Sequence, residues 1–387
     1  MCLSLTCSIL SLLFHILYDV QGYDNYAELS VSTKMAPNVD TILKLIQMLR
    51  DNAFPAAKKE FEEMVNFAKS EGFSDKIMNW DFHYWSERLR ERAYQYEEEQ
   101  LRVYFPLDGV LKGLFALAER LYGVTIVSAD GKVDVWDNNV RFFEIYEKSN
   151  QKYLACFYLD PFSRPEEKNS GAWMDPCIGK SRALNKTPVA YLNCNGSPPV
   201  GDTPSLMTFR EVETLFHEFG HGLQHMLTRI EHGDASGINN IEWDAVELPS
   251  QFMENWCYDR ETLFGFAKHY QTGEPLPEDL YQNVKAAKNF HAGIALIRQL
   301  LFATLDMTLH SSYDPNGMKS PFQVQAELAV DYAVIPPIEN DRFLCSFGHL
   351  FGGGYAAGYY SYIWAEVMSA DAFAAFEEAG LDNEAAV

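Results

Sequence analysis

Apolar residues recur at three- and four-residue intervals from Asn38 to Ser70, with a break near Pro55. The same period runs from Trp85 to Tyr96 and from Leu107 to Tyr122, where Gly123 ends it. Such spacing puts the apolar side chains on one face of a helix, so three amphipathic helices are predicted. After Gly123 the pattern changes. Val124–Val127, Val133–Trp136, Tyr153–Leu159 and Val189–Cys194 are short runs rich in β-branched and aromatic residues, separated by turn formers such as Asp130-Gly131 and Asp137-Asn138. They predict a small antiparallel sheet. From about Phe209 the helical period returns and includes a long stretch from Pro277 to His310. The expected class is mainly α with one small antiparallel β-sheet. No repeat, low-complexity tract or Gly/Ser linker follows residue 22, so 23–387 reads as one continuous domain.

Composition narrows the function. Of 387 residues, 47% are hydrophobic, enough to bury a large core. The 54 acidic residues outnumber 31 basic ones, giving a net charge of -23. That sign repels nucleic acid and anionic lipid, which excludes both as principal partners. The seven cysteines are odd in number and form no CxxC, so neither a disulfide framework nor a thiolate metal site is indicated. Five of them lie among apolar or aromatic neighbours and read instead as small buried hydrophobes in a reducing, intracellular compartment, cytosol or organelle. Residues 1–22 form an apolar leader. Met1 to Tyr18 resembles the core of a signal peptide, yet no Lys or Arg occurs before Lys34 and no clean cleavage site follows. No other segment reads as long and apolar enough to span a bilayer, and no stable membrane association is expected.

The chemistry lies in Phe209 to Arg229, which contains His217-Glu218-Phe219-Gly220-His221, an HExxH. Residues four apart on a helix point the same way from adjacent turns, so the two imidazoles can hold one zinc ion, with Glu218 beside them. Val212, Phe216, Phe219, Leu223 and Met226 share one face of this helix, while Thr214, His217, His221 and His225 share the other. In a chain with ten histidines a chance HExxH is roughly a one-in-a-hundred event. A metzincin would need histidine at position 227, which is Leu227. His225 lies about 12 Å along the axis from His217, too far to share an ion. Glu242 and Glu247 both stand at a suitable distance for the third ligand, and spacing does not choose between them.

The segments HEFGHGLQHMLTR and WDAVELPSQFMENW resemble the M3 family of zinc metallopeptidases, in particular its oligopeptidase A branch. The likeness extends from about Tyr23 to the end of the chain, through GAWMDPC (171–177), PVAYLNCN (188–195) and FGHLFGGGYAAGYYSYIWAEV (347–367). The resemblance implies a zincin-like, two-lobed fold around a channel that admits short peptides. It implies one zinc per chain, with Glu247 as third ligand and Glu242 outside the site. Glu218 is then the general base on water at the zinc, and His349, Tyr355 and Tyr362 contact the substrate and transition state, with Tyr359 nearby. Gly352-Gly353-Gly354 is expected to let this loop move, placing Gly353 and Tyr359 among the substrate-binding residues. The strand at Val189–Cys194 is expected either as an edge that pairs with extended substrate or as a buried structural strand. Asp244 is expected to cap a helix, with orientation of a histidine ligand as the alternative.

The implied activity is internal cleavage of short oligopeptides by a chain that is monomeric if complete. Full-length members carry a further helical region before the matching part and continue beyond the position of Val387, so the chain is expected to be truncated at both ends. This raises an alternative function, a catalytically weak zinc-binding fragment acting as a peptide-binding or assembly partner. A zinc aminopeptidase would need GxMEN ahead of the metal helix, whereas Met253-Glu254-Asn255 comes after it.

Overall fold

The computed structural model describes residues 21–381 apart from Tyr96, Pro336, Glu339 and Asn340, so nearly all of the apolar leader lies outside the described residues. The helices and strands run α1 (Tyr26–Val31), α2 (Val39–Ser70), α3 (Asn79–Tyr94), α4 (Glu98–Arg102), α5 (Leu107–Tyr122), β1 (Val124–Ser128), β2 (Arg141–Glu147), β3 (Tyr153–Phe162), β4 (Trp173–Ile178), β5 (Val189–Gly196), α6 (Phe209–Met226), α7 (Leu248–Asn255), α8 (Arg260–Phe266), α9 (Glu278–Ala287), α10 (Ala292–Ser311), α11 (Pro321–Tyr332) and α12 (Ser361–Ala379). The class is mostly helical with one small sheet, as expected. The chain divides into two compact units.

The first unit comprises Met1–Gln95, Glu242–Ala245 and Ala286–Trp364. Its core is the seam between α2 and α10, where Ile42, Ile46, Ile297, Leu300 and Leu305 are buried. Helix α2 runs unbroken through Pro55, although proline removes one backbone bond there. Ile42, Ile46, Ala57, Met64 and Ala68 lie on its buried face on both sides of the proline, and this burial keeps the two halves in one helix. The Glu60 carboxylate accepts from the backbone N–H of Gly293 (3.1 Å) and Ile294 (2.9 Å), supplying α10 with the cap that its own sequence lacks. By length and composition α10 does qualify as a candidate membrane span, contrary to the expectation that no such segment follows the leader. Its buried Asp306 and its packing against α2 identify it as a core helix.

The second unit comprises Tyr96–Ile241, Val246–Lys285 and Ala365–Val387. Its sheet has the order β1-β2-β3-β5-β4. All neighbours are antiparallel except β3 and β5, so the sheet is mixed rather than antiparallel throughout. The register pairs Phe143 with Phe157, Leu159 with Leu192 and Leu192 with Met174. Strand β5 is therefore internal, and β1 and β4 are the edges. Of the two readings of Val189–Cys194, the structure shows the buried structural strand and not the edge, as its nearly continuous apolar start requires. Val133–Trp136 is a loop, whose Trp136 indole donates to Asp160 at 2.8 Å. On the sheet's inner face Phe143 and Phe157 stack at 5.0 Å, and Phe115 of α5 and Phe219 of α6 pack against them. This aromatic layer sets the position of α6.

Candidate metal centre and aromatic loop

Helix α6 starts at a capping box, in which the Thr208 hydroxyl accepts from Glu211 N and the Glu211 carboxylate accepts from Thr208 N. Phe209, Val212, Phe216, Phe219, Leu223 and Met226 are buried, which leaves His217 and His221 together on the other face. Between them stands Gly220. A Cβ at this position would lie 2.5 Å from Pro249 O and 2.7 Å from Ser250 Cα. Only glycine allows the first turn of α7 this close, and that turn carries Glu247 at its N-terminal cap.

The Glu247 carboxylate lies 3.2 Å from His217 Nε2 and 3.1 Å from His221 Nε2. Four ligands at zinc bond lengths stand about 3.3 Å apart in a tetrahedron, so these donors suit one small ion with a position left open. They form the group of potential metal ligands found among the described residues. Glu242 is exposed and does not belong to it. The Ser250 hydroxyl holds Glu247 by donating to its carboxylate at 2.9 Å. Burial pushes the Glu247 carboxyl up, but hydrogen bonds from both histidines more than offset this and hold it well below its ordinary value. For His217, burial works against protonation, and Glu247 and Glu254 overcome it, raising the pKa to about 10.

Glu254 is the residue that sequence reasoning missed. Its carboxylate lies 2.5 Å from His217 Nδ1, which fixes the ring and turns Nε2 toward the ligand cluster. It follows Glu247 by seven residues, two helical turns, and that spacing was a readable signal. Glu218 is 4% exposed, and among the described residues its Oε2 has no hydrogen-bond partner. Burial raises its pKa, with the histidines opposing, which suits a carboxylate that must accept a proton. His225 is fully buried with Nε2 2.9 Å from Ile178 O, a structural role.

The remaining expected residues gather in the first unit. His349 lies 5.4 Å from the rings of Tyr355 and Tyr359, and the Tyr362 hydroxyl is 3.4 Å from His349 Nε2. Tyr355 stacks on Tyr362 at 5.0 Å. Tyr359 is turned inward, its hydroxyl donating to Gln299 at 2.8 Å. Gly353 and Gly354 adopt φ of +71° and +83°, and a Cβ on Gly354 would meet the Trp243 ring at 3.0 Å. The segment after them is pinned by two buried carboxylates. Asp306 accepts from the N–H groups of Ala357, Gly358 and Tyr359 at 2.8–2.9 Å. Asp244 accepts from Met35 N, Ala36 N and the Tyr360 hydroxyl. Asp244 is thus a loop clamp and not the cap of α7, whose N-cap position is Glu247 with no side-chain capping bond.

Two histidines four apart on a buried helix, a glutamate at the start of a later helix and the neighbouring Glu218 carboxylate form an HExxH arrangement that could hold one metal ion. The model of peptidase family M3 matches residues 14–386, and the chain belongs to this family. It is 55% identical to organellar oligopeptidase A, chloroplastic/mitochondrial, of Arabidopsis thaliana, over 95% of this chain and 47% of that protein. It is 47% identical to oligopeptidase A of Escherichia coli, over 95% of this chain and 54% of the other. The chain thus spans about half the length of these curated relatives. Among solved structures, PZ peptidase A shares the fold with a TM-score of 0.52 at 14% identity, covering 92% of this chain and 53% of that one.

Proposed function

We propose that this chain carries the catalytic centre of a zinc-dependent metalloendopeptidase that hydrolyses internal bonds of short oligopeptides. The observation that carries this reading is the convergence of His217, His221 and Glu247 on one point, with the unpaired Glu218 carboxylate on the same helix. When bound, zinc supplies a Lewis acid for the scissile carbonyl and lowers the pKa of water. His217, His221 and Glu247 hold the ion, and Glu254 keeps His217 in the tautomer that can bind it. Glu218 takes the proton from the attacking water and returns it to the leaving amine. His349, Tyr355 and Tyr362 offer hydrogen bonds to the oxygen that gains charge, an effect of about 3–4 kcal/mol per well-aimed donor. Gly353 and Tyr359 shape the loop that presents them. An intracellular setting, cytosol or organelle, agrees with the naming of the Arabidopsis relative.

The test is hydrolysis of a quenched fluorescent decapeptide with and without chelator, alongside Glu218→Gln. The expected result is chelator-sensitive internal cleavage that falls about 10²–10⁴-fold in Glu218→Gln while one zinc remains bound. A chain that binds no zinc and cleaves nothing overturns the reading.

A further inference from the structure

Helix α1 is six residues long, too short to hold itself in water, and the burial of Ala27 and Val31 in the first core fixes its place. Asn25 caps it by accepting from Glu28 N at 3.0 Å. A serine inside a helix commonly donates its hydroxyl to a carbonyl one turn back. The Ser30 hydroxyl instead reaches out of its helix to Ala356 O at 3.0 Å and Ala357 O at 3.1 Å. Its oxygen accepts from Lys34 Nζ at 2.7 Å, and the same ammonium donates to Ser30 O at 2.6 Å. With one lone pair taken by Lys34, the hydroxyl proton is left for the two loop carbonyls, and the adjacent charge strengthens it as a donor. Burial pulls the Lys34 pKa down, while the Asp244 and Asp306 carboxylates oppose this and favour the charged form.

The two carbonyls belong to the peptide groups whose N–H ends Asp306 holds. The group joining Ala356 to Ala357 has its oxygen at Ser30 and its N–H on Asp306 at 2.9 Å. The group joining Ala357 to Gly358 has its oxygen at Ser30 and its N–H on Asp306 at 2.8 Å. Two successive planes are thus gripped at both ends, and together they set φ and ψ of Ala357. Ala357 is fully buried with a φ of +48°, a left-handed conformation that a residue other than glycine keeps only when its surroundings impose it.

A peptide plane held at its N–H end alone can still rock, and either plane that turns lets residue 357 relax to an ordinary conformation. That relaxation redirects the chain between Tyr355 on one side and Tyr362 on the other, whose rings stack at 5.0 Å and 14°. We infer that Ser30, polarised by Lys34, is a positioning residue for the aromatic loop: it locks the left-handed turn at Ala357 and keeps the Tyr355 and Tyr362 hydroxyls aimed together. The kinetic side of this inference rests on the peptidase reading above.

The test compares the zinc-loaded wild type with Ser30→Ala and Lys34→Met on the quenched decapeptide. Ser32→Ala is the control, since that exposed hydroxyl donates to Leu29 O within its own helix end. Ser30→Ala should lower kcat about 10–100-fold with KM within about threefold and zinc affinity unchanged. Lys34→Met, which keeps the serine and carries the test where Ser30→Ala does not fold, should lower kcat about 3–10-fold; Ser32→Ala should match wild type. In a Tyr355→Phe, Tyr362→Phe background, where the hydroxyls are already gone, Ser30→Ala should cost less than about twofold. An unchanged kcat in Ser30→Ala, or an equal loss in both backgrounds, overturns the inference. A readout without turnover separates this from failure of the enzyme reading. With 3-fluorotyrosine placed at position 355, the fluorine-19 resonance should shift and broaden in Ser30→Ala and stay in place in Ser32→Ala. A shift in a chain without turnover keeps the positioning role and sinks the peptidase reading; a resonance unmoved by Ser30→Ala removes the role even from an active enzyme.

Discussion

Replacing Gly220 with alanine pits two effects of opposite sign against each other. Alanine favours the helix by up to about 1 kcal/mol. The new Cβ, however, would sit 2.5 Å from Pro249 O, 2.7 Å from Ser250 Cα and 2.9 Å from Pro249 C, all backbone atoms that cannot rotate aside. Ordinary contact begins near 3.5 Å, so α6 and the start of α7 must separate by about 1 Å. Glu247 stands two residues before Pro249 and moves with it, whereas metal–ligand distances tolerate only about 0.2 Å. Overpacking of this kind costs about 1–3 kcal/mol. We expect Gly220→Ala to weaken zinc binding about 10–100-fold while the zinc-free chain unfolds within a few degrees of wild type. Competition with a chromophoric chelator measures the first and thermal unfolding the second. Gly222→Ala is the control: it brings the same helical gain, but its Cβ would meet only flexible side-chain ends, of Leu192 at 3.0 Å and Met226 at 3.2 Å. Zinc affinity of Gly220→Ala within threefold of wild type would refute the argument.

Glu254→Gln keeps the shape but removes the charge that orients His217; zinc affinity should fall about 10–100-fold by chelator competition, and an unchanged value would reduce Glu254 to a bystander. Asp306→Ala leaves three buried N–H groups without their acceptor, so the first unit should lose about 3–5 kcal/mol in denaturant unfolding; a loss below 1 kcal/mol would mean the loop finds other partners. Burial lowers the His291 pKa to about 4. Because the folded value lies below the unfolded one near 6.5, the folded state binds fewer protons, and stability is lost as pH falls from about 6.5 toward 4. Wild type should therefore lose about 2–3 kcal/mol more than His291→Gln between pH 7 and 4.5, and equal losses would contradict the assignment.

Periodicity located Leu107–Tyr122 end to end because that helix has a single clean apolar face and stops at a left-handed Gly123. It failed where tertiary contacts decide. Pro55 argues locally for a break in α2, and packing against α10 overrides it. The β2 run RFFEIYE and the edge strand β4, which contains Asp175 and Pro176, carry weak strand signals and were missed. The place of β5 inside the sheet depends on a parallel pairing that no local pattern encodes. The HExxH pair was legible outright, while the choice of Glu247 over Glu242 came from family resemblance. Asp306 had a signal that went unread: a lone carboxylate in the apolar run Ala292–Ser311 needs buried donors, and the loop at Ala357–Tyr359 supplies them.

The seam between α2 and α10 has a temporal consequence. The two helices that build the first core are separated by the residues from Glu71 to His291, and most of the second unit lies in between. At a synthesis rate of about 5–20 residues per second, α2 leaves the ribosome roughly 10–45 s before its partner exists. During that interval Ile42, Ile46 and Ala57 lack their α10 partner, although Met64 and Ala68 can already pack on Ile77 and Trp85, while the sheet and α6, contiguous in sequence, can already close. The second unit is thus made early and the first is sealed late, which makes the nascent α2 the segment most in need of a chaperone.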